Sequence, residues 1–479
     1  AEQLEGTDIT LFKERMPETP SIAEWLFKEL KEGDIIGMDG WVNGIDFKES
    51  LYEACSPKGI QVKSVTDPFD EIWEDRPALP SEPVFILEEK YAGLSCRKKI
   101  ELIREEIHKN NCQSILLSAL DEIAWTLNLR GSDVHCNPVF ISYMHITQKE
   151  ATLYIIEEKL SPEVKTYLEE NGVTIKSYNK IESDIKNVRQ NIQVSPTLNM
   201  KLFNAAGYPS SHGIDTGHKI MKNETEINGF RHAMERDGIA MVKFLKWLKE
   251  AVPAGNESEL SVDRKLYELR AEQANFKGIS FDTIAGYKEH AAIVHYEATP
   301  ETDIPLKPEG MLLLDSGAQY PDGTTDITRT IVLGPLSDEE KTDYTLVLKG
   351  FLQLQNAVFP EGTCGTQLDV LARQAMWKAG INYFHGTGHG VGHFLCVHEG
   401  PHQIRMNHMP TTLRPGMTVT NEPGIYKAGR HGIRTENTLL IVPAMESEFG
   451  SFMKFEPLTL CPIDKEAIVT DMLTDEEIN

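Results

Sequence analysis

Four acidic residues in the second half of the chain are of the type that binds divalent metal ions. Asp315 ends the apolar run MLLL, and Asp326 opens the next strand-like run. Glu422 precedes a Pro-Gly turn, and Glu436 lies in a later strand-like run. Taken singly, each has an ordinary explanation, because Asp is common in turns and caps and Glu on exposed edges. Asp315 fits this explanation least well, since it follows three leucines and a buried, unpaired carboxylate is costly.

A run rich in histidine and glycine, YFHGTGHGVGHFLCVHEGPH, lies between these acidic residues. A single histidine is more often structural than a ligand. Five within 18 residues, among five glycines, favour a functional site, because glycine lets other groups approach the backbone closely. The run fits neither G-x-G-x-x-G nor a P-loop, which argues against nucleotide binding. Its histidines are His385, His389, His393, His398 and His402.

Four carboxylates and one imidazole could together hold two divalent cations, since four negative charges balance them. Oxygen-rich ligation with one imidazole suits Mn(II), with Fe(II), Co(II) or Zn(II) as alternatives. A two-metal site holds a bridging hydroxide and polarises a carbonyl group. Charge balance permits this interpretation but does not require it. The set is Asp315, Asp326, His389, Glu422 and Glu436.

The spacing of the two aspartates raises a geometric difficulty. Asp322-Gly323 is a tight-turn signal, and an ideal two-residue hairpin there would place Asp326 opposite Gln319. Asp315 would then lie roughly 13 Å away along the strand, too far to share metal ions. If both bind one metal cluster, the strand must kink or bulge, and Gly317 is the best candidate for that irregularity.

The elements around these residues can be predicted from periodicity and capping signals. Asn223 with Glu226, and Ser337 with Glu340, are capping patterns that begin helices. The first helix has one apolar face, and we predict further helices at Leu260–Asn275 and Gln367–Lys378. That face comprises Ile227, Phe230, Met234, Met241, Leu245 and Leu248. Predicted strands are Phe281–Glu297, Met311–Tyr320 and Asp326–Leu333, with glycine-rich turns and short strands from Tyr383 onward.

The first half of the chain alternates helix and strand signals, a pattern that indicates an α/β or α+β fold. Helices are predicted in SCRKKIELIREEIHKNN and DEIAWTLNLR, and strands in CQSILLSA, VFISYMHI and ATLYII. Proline-rich residues 75–83 and glycine- and proline-rich residues 194–222 suggest two boundaries. We therefore predict three domains, at 1–82, 83–218 and 219–479.

The composition restricts the class of protein. The 479 residues carry 48 basic and 73 acidic side chains, a formal net charge of −25. This argues against a nucleic-acid or anionic-membrane partner, since both attract clustered Lys and Arg. No apolar run approaches the roughly 20 residues that span a bilayer, and the first residues form no secretory signal. Seven scattered cysteines predict reduced thiols and a cytoplasmic protein.

Motifs in this order are specific to one enzyme family. The patterns D-x-G-A-x-x-x-D-G-x-x-D-x-T-R-T, H-G-x-G-H-G-x-G, E-P-G and G-I-R-x-E-N resemble the pita-bread metallopeptidases. DEIAWTLNLRGSDV and NPVFISY further resemble the second domain of the large, three-domain aminopeptidases P. The resemblance implies an α+β protein in which a pita-bread catalytic domain follows two α/β, creatinase-like N-terminal domains, the first incomplete, and it suggests a homodimer.

The resemblance also assigns roles to individual residues. The family's five metal ligands match the four carboxylates and His389 named above. His295 and His398 match histidines that contact substrate or move protons, and His385 matches a third near the proline pocket. Arg434, in G-I-R-x-E-N, is expected to bind substrate. Two departures affect the pocket: His290 lies near the position at which relatives often have Asn, and His393 lies where others have a small residue.

The implied activity is hydrolysis of the N-terminal Xaa-Pro bond of peptides whose second residue is proline, through a hydroxide that bridges two metals. Glu422 would hold the attacking water and accept its proton, while His295 and His398 would stabilise the oxyanion or assist the leaving nitrogen. Three alternatives stay open: a prolidase restricted to dipeptides, a methionine aminopeptidase, and a non-catalytic pita-bread module that binds peptides or histones.

Overall fold

The computed structural model describes residues 4, 6–13, 18–188, 191–207, 209–210 and 217–478. The chain divides into two compact units. Unit 1 comprises Ala1–Ser81, Arg97–Ile123 and Ile141–Asp215, and unit 2 comprises Glu82–Cys96, Ala124–Phe140 and Thr216–Asn479. The predicted second boundary falls partly on residues 211–216, which lie outside the described residues. The predicted three-domain division stays a prediction.

The described residues contain helices and strands throughout. The helices are α1 Ile22–Glu29, α2 Ile45–Cys55, α3 Glu89–Ala92, α4 Cys96–Lys109, α5 Leu120–Leu127, α6 Pro162–Glu170, α7 Ile181–Ile185, α8 Met200–Ala205, α9 Gly217–Ile220, α10 Glu224–Ala254, α11 Glu259–Ala271, α12 Asp338–Gln355, α13 Gly365–Lys378 and α14 Asp475–Ile478. The strands of the first half are β1 Ile35–Asp39, β2 Gln61–Val65, β3 Phe85–Ile86, β4 Ser114–Leu117, β5 Leu129–Arg130, β6 Ser142–Thr147, β7 Ala151–Ile155, β8 Val173–Ser177, β9 Ile192–Val194 and β10 Pro209–Ser210. Those of the second half are β11 Gly278–Ile279, β12 Ile284–Tyr287, β13 Met311–Ser316, β14 Ala318–Tyr320, β15 Gly323–Thr324, β16 Ile327–Val332, β17 Val358–Pro360, β18 Gly388–Gly390, β19 Glu399–Ile404, β20 Thr418–Asn421, β21 Gly424–Lys427, β22 His431–Arg434, β23 Asn437–Ser447 and β24 Gly450–Pro457.

Unit 1 contains a mixed sheet of the order β10-β9-β4-β6-β7-β8 and a parallel pair, β1-β2. In the larger sheet β4 runs parallel to β9 and antiparallel to β6. Its core includes Leu116, Tyr154, Ile185 and Val194, which come from strands and a helix and are all buried. The helices and strands predicted between residues 95 and 155 are confirmed as α4, α5, β4, β6 and β7.

Unit 2 packs two pairs of helices against separate sheets. In the first, α10 and α11 cover the antiparallel sheet β12-β13-β16, with Phe244, Leu266 and Leu312 in its core. In the second, α12 and α13 cover the sheet β17-β24-β23-β20-β18-β19, with Leu354 and Val419 in its core. Burial of these apolar side chains is the main stabilising contribution to such layers.

The capping predictions for two long helices are confirmed. Asn223 and Glu226 bond reciprocally to each other's backbone N–H groups at the start of α10. Ser337 and Glu340 do the same at the start of α12. Both pairs satisfy N–H groups that a helix leaves without partners at its first turn. The predicted apolar face of α10 is buried at four positions and half-buried at Ile227 and Leu245.

One predicted strand is wrong over most of its length. Only Ile284–Tyr287 within residues 281–297 forms a strand, and a 3₁₀ turn at Lys288–Ala292 follows it. Lys288 has a φ of 51°, a left-handed conformation that ends the extended run. His295 therefore lies beyond the strand, in an irregular segment.

The hairpin that carries the two aspartates differs in register from the prediction. Its turn is centred on Pro321 and Asp322, because Tyr320 pairs with Gly323. This register continues along both arms of the hairpin, because Gln319 pairs with Thr324 and, further from the turn, Ser316 pairs with Ile327. Asp326 consequently lies two residues along the strands from Asp315, on the same face, instead of four.

The predicted irregularity at Gly317 is present, although no residue is inserted there. The first arm of the hairpin is interrupted between β13 and β14, which belong to different sheets. A Cβ atom on Gly317 would lie 2.0 Å from the carbonyl oxygen of Thr325 and 2.1 Å from Ser280 Oγ. Only glycine allows this close approach of the two backbones.

Across the described ranges, no helix combines the length and the apolar character needed to cross a membrane.

Candidate active site

All nine residues proposed for the site line one cavity of about 490 Å³ within unit 2. They are Asp315, Asp326, His389, Glu422, Glu436, His295, His385, His398 and Arg434. Separate parts of the sequence therefore converge on one concave surface, the common arrangement of a binding site.

Strand ends position the five candidate metal ligands. Asp315 is the second-to-last residue of β13, and Asp326 immediately precedes β16. His389 is the middle residue of β18. Glu422 follows β20, and Glu436 lies between β22 and β23. Asp315, Asp326 and Glu436 are 7%, 4% and 1% exposed, so that three carboxylates are buried close together.

The imidazole of His389 faces the carboxylates. Its Nε2 lies 3.4 Å from an oxygen of Asp326 and 3.4 Å from an oxygen of Glu422. Its Nδ1 is 2.9 Å from the carbonyl oxygen of Gly390, to which Nδ1–H donates. Ligand atoms of Asp326, His389 and Glu436 all lie within 4.8 Å of one another. A fixed Nδ1–H leaves Nε2 available as a metal ligand.

Three of the four carboxyl groups have raised pKa values, which favours their protonated forms. Burial raises the pKa of Glu422 to about 7; the His389 charge opposes this and the Asp326 charge adds to it. Burial, followed by the charges of Asp326 and Glu422, raises the pKa of Glu436 well above its usual range. Burial likewise raises the pKa of Asp315, although the Arg434 charge opposes this. For His389, burial lowers the pKa, but the hydrogen bond to Asp326 and the Glu422 charge outweigh it and raise the pKa to about 9.

These groups fit divalent cations. One oxygen of Asp315, Oδ1, is buried and has no hydrogen-bond partner, which is costly for a carboxylate. Four clustered carboxyl groups and an imidazole nitrogen form a donor set of the kind that binds Mn(II) and related ions. Cations would compensate the burial and the repulsion that otherwise favour the protonated forms of Glu422 and Glu436.

A hydrogen-bonded chain links Asp315 to His385. Arg434 donates to Asp315 Oδ2 at 2.7 Å and to the Tyr426 hydroxyl at 2.8 Å. The hydroxyl lies 2.8 Å from His385 Nε2, and His385 Nδ1 lies 2.7 Å from the carbonyl oxygen of Gly386. The carbonyl requires a donor at Nδ1, and in a neutral ring Nε2 is then the acceptor, to which Tyr426 donates. Burial, followed by the Arg434 charge, lowers the pKa of His385 to about 3, consistent with this tautomer.

The other two histidines face the open cavity. His295 and His398 are both exposed. The His398 ring lies edge-on to His389, with 4.2 Å between the ring centroids. Desolvation, followed by the His389 charge, lowers the pKa of His398 to about 4, so the ring is neutral near pH 7. Both side chains are accessible to a molecule that enters the cavity.

Sequence reasoning missed three residues that hydrogen-bond the side chains of the candidate site: two threonines that bond candidate ligands, and Tyr426, which bonds Arg434 and His385. Thr328 Oγ1 donates to Glu436 Oε2 at 2.8 Å and accepts from Arg434 Nε at 3.2 Å. Thr420 Oγ1 donates to Glu422 Oε1 at 3.1 Å. Each threonine is two positions from a ligand, and strand alternation places such neighbours on one face. That signal could have identified both, whereas Tyr426 has no comparable local signal.

Family models match most of the chain. The model described as metallopeptidase family M24 matches residues 228–443, and the creatinase/prolidase N-terminal domain matches residues 75–226. The C-terminal region of peptidase M24 matches residues 451–479.

Curated relatives match almost the full chain. A probable Xaa-Pro aminopeptidase P from Botryotinia fuckeliana is 38% identical, over 98% of this chain and 75% of its own length. Xaa-Pro aminopeptidase 1 from Dictyostelium discoideum is 37% identical, over 98% of this chain and 78% of its own length.

Solved structures match in fold. An X-prolyl aminopeptidase from Caenorhabditis elegans, described as a cytosolic enzyme with a di-nuclear active site, gives a TM-score of 0.93 at 35% identity. The match covers 98% of this chain and 79% of the other. An Xaa-Pro dipeptidase from Bacillus anthracis gives a TM-score of 0.62 at 25% identity, over 77% of this chain and 99% of the other.

Proposed function

Because the chain belongs to metallopeptidase family M24, we propose that it is an Xaa-Pro aminopeptidase, which releases the first residue of peptides whose second residue is proline. The observation that carries the proposal is the convergence of five ligand-type side chains and three histidines on one cavity. Relatives with this activity in their names match 98% of the chain.

The proposed ligands are Asp315, Asp326, His389, Glu422 and Glu436. Two divalent cations there, Mn(II) in the first instance and otherwise Co(II), Fe(II) or Zn(II), would generate a nucleophile from water and polarise the scissile carbonyl. The unpartnered oxygen of Asp315 and the raised pKa values of Glu422 and Glu436 support this proposal.

The chain's own side chains account for the remaining chemistry. Glu422, with a pKa of about 7, is suited to hold a water molecule and accept its proton. His295 and His398 are exposed to the cavity and can hydrogen-bond the developing oxyanion or assist the departing proline nitrogen. Both nitrogens of His385 are engaged, so its ring contributes a wall of the proline pocket and donates no proton.

Arg434 orients ligands in this proposal, as well as lining the substrate cavity. Its guanidinium is buried and bonds Asp315, Thr328 and Tyr426. A substrate group could reach it only beside these partners. We therefore assign its main effect to the placement of Asp315, with any contact to substrate secondary.

The specificity for proline has a physical basis. An Xaa-Pro bond has no N–H, and its ring fixes φ near −65°, so proteases that require that N–H cannot use it. A site that recognises the free amino terminus and the carbonyl oxygen avoids this requirement. Cytoplasmic location and a homodimer are further parts of the proposal; the C. elegans protein described as cytosolic supports the former.

The test is hydrolysis of Arg-Pro-Pro, Ala-Pro and Met-Ala-Ser by protein that has been treated with chelator and then supplied with Mn(II). We expect Mn(II)-dependent release of Arg from Arg-Pro-Pro and little cleavage of the other two. Cleavage of Ala-Pro alone would indicate a prolidase, and cleavage of Met-Ala-Ser a methionine aminopeptidase. Absence of all cleavage by metal-loaded protein would favour a non-catalytic binding module.

A pair of variants separates the proposed site from a general effect of lost charge. Glu436→Ala should remove most of the activity. Glu446→Ala, which removes an exposed carboxylate from β23, should retain it. Near-normal turnover by fully metal-loaded Glu436→Ala would contradict the ligand assignment.

A further inference from the structure

A histidine, a cysteine and an aspartate outside the proposed ligand set come together at the edge of the same cavity. Ligand atoms of His135, Cys136 and Asp282 all lie within 4.8 Å of one another. His135 Nε2 is 2.8 Å from Asp282 Oδ1, and Asp282 also lines the cavity. Imidazole, thiolate and carboxylate are the three side-chain ligand types of Zn(II) in proteins.

A tight turn allows the two adjacent residues to act together. Val134 and Asn137 are bridged, with Asn137 N–H donating to the carbonyl oxygen of Val134 at 3.2 Å, so His135 and Cys136 are the central residues. Cys136 has a φ of 59°, a conformation that turns usually reserve for Gly or Asn. Neighbouring side chains in an extended strand point to opposite faces, and this turn removes that alternation.

Hydrogen bonds fix both sides of the cluster. Gln319 Nε2 donates to the carbonyl oxygen of Cys136 at 3.1 Å, which holds the turn against β14. Ser280 Oγ donates to the carbonyl oxygen of Thr325 at 2.8 Å, which holds the segment that leads to Asp282. Ligands carried on anchored segments lose less freedom when they bind an ion.

The cluster is open to ions from solvent. The side chains of His135 and Asp282 are 73% and 51% exposed, and Cys136 is half-buried and not in a disulfide. Burial, followed by the Asp282 charge, raises the pKa of the Cys136 thiol to about 11. A bound cation would displace this proton to solvent and take the thiolate as a ligand.

We propose that His135, Cys136 and Asp282 bind one Zn(II) ion, with water as its fourth ligand, at a site separate from the proposed catalytic one. Zn(II) is preferred because a thiolate is a softer ligand than the carboxylates that dominate the proposed Mn(II) site. Three protein ligands leave one coordination position for the water. The binding is independent of the proposed peptidase activity, since it is measured as bound metal.

The first experiment counts bound zinc on the whole chain after its catalytic site has been saturated with Mn(II). Wild-type protein should retain one more Zn(II) per chain than Cys136→Ser. Cys364→Ser is the matched control, because Cys364 is also a half-buried free cysteine of unit 2, and it should bind as much zinc as wild type. Any exchange of Zn(II) into the catalytic site affects all three proteins equally. Equal zinc content in wild type and Cys136→Ser would overturn the proposal.

The second experiment uses the unmodified chain, so that it does not depend on the folding of a variant. Iodoacetamide labelling is followed at each cysteine by mass spectrometry, with and without Zn(II). We expect Zn(II) to protect Cys136 and to leave the labelling of Cys364 unchanged. Labelling of Cys136 at the same rate with and without Zn(II) would also overturn the proposal.

Discussion

Arg434 donates two hydrogen bonds to one oxygen of Asp315, at 2.7 and 3.2 Å, and leaves the other oxygen of that carboxylate without a partner. The pair is 119 residues apart in sequence and buried. The guanidinium thus fixes the orientation of the carboxylate, and Oδ1 of Asp315 stays free to bind a cation. This arrangement is typical of residues that do not bind the metal themselves but hydrogen-bond a metal ligand and fix its orientation.

Arg434→Lys should weaken metal binding while the fold is retained. A lysine is a single point charge and cannot bond Asp315, Thr328 and Tyr426 together as the planar fork does. We expect the affinity for Mn(II) to fall about 10- to 100-fold, as for other groups that orient metal ligands. Chelator competition measures this affinity.

Arg430→Lys is the control for that change. Arg430 lies in the turn between β21 and β22 and pairs with Glu339 on the surface. Its replacement should leave the Mn(II) affinity unaltered. Equal affinities of Arg434→Lys and wild type would contradict the orienting role.

Tyr426→Phe should disconnect Arg434 from His385 without removal of a ligand. The hydroxyl accepts from Arg434 and donates to His385 Nε2, each at 2.8 Å. Its loss leaves both buried groups short of a partner and frees the His385 ring to rotate. We expect kcat/KM for Arg-Pro-Pro to fall about tenfold with bound Mn(II) unchanged.

Tyr267→Phe, at an exposed position of α11, should have no effect on kcat/KM. Loss of bound Mn(II) by Tyr426→Phe would mean instead that the hydroxyl supports the ligands directly.

Local signals predicted much of the fold. The helix starts at Asn223 and Ser337 depend on residues three positions apart, so the sequence alone contains them. The family resemblance and the α+β fold with a creatinase-like N-terminal domain and a pita-bread catalytic domain are confirmed by the matches to family models and to the C. elegans structure. Roles of the site residues stay predictions.

The hairpin shows where a competing local signal was overlooked. Tyr320-Pro321-Asp322-Gly323 has Pro at the second and Gly at the fourth position of a turn, which favours Pro321 and Asp322 as its centre. The choice of Asp322-Gly323 shifted the expected register by two residues. The sequence could not predict the contacts of Arg434 with Asp315 and of Tyr426 with His385, because only tertiary packing brings these residues together.

Gly317→Ala should destabilise the junction that carries both aspartates. The added Cβ would lie 2.0 Å from the carbonyl oxygen of Thr325, a backbone atom that cannot rotate away. We expect a loss of about 1–3 kcal/mol in the free energy of unfolding, the usual range for overpacked sites. Urea denaturation measures it, and Mn(II) affinity should fall as Asp315 and Asp326 move apart.

Gly400→Ala provides the comparison, because a Cβ there meets nothing within 4 Å. It should leave both the unfolding free energy and the Mn(II) affinity near wild type. A Gly317→Ala protein with wild-type stability would show that the two backbones separate at little cost.

Stabilisation by Mn(II) should increase with pH. In the metal-free chain the pKa of Glu422 is about 7 and that of His389 about 9, both above their unfolded values of 4.5 and 6.5. The folded state therefore binds more protons than the unfolded state in this range, and the metal-free protein loses stability as pH rises through these values. Metal ions compete with the same protons, so their affinity rises over that interval.

The measurement is the increase in Tm on addition of Mn(II), at pH 6 and at pH 8. An ion at 100 times its Kd stabilises a protein by about 2.7 kcal/mol, which is readily measured. We expect a larger increase at pH 8, where Glu422 no longer retains its proton. Glu422→Gln cannot ionise at this position, so its Mn(II)-dependent increase should be smaller and should change less with pH. An increase in Tm that is the same at both pH values in wild type would indicate that Mn(II) binds elsewhere on the chain.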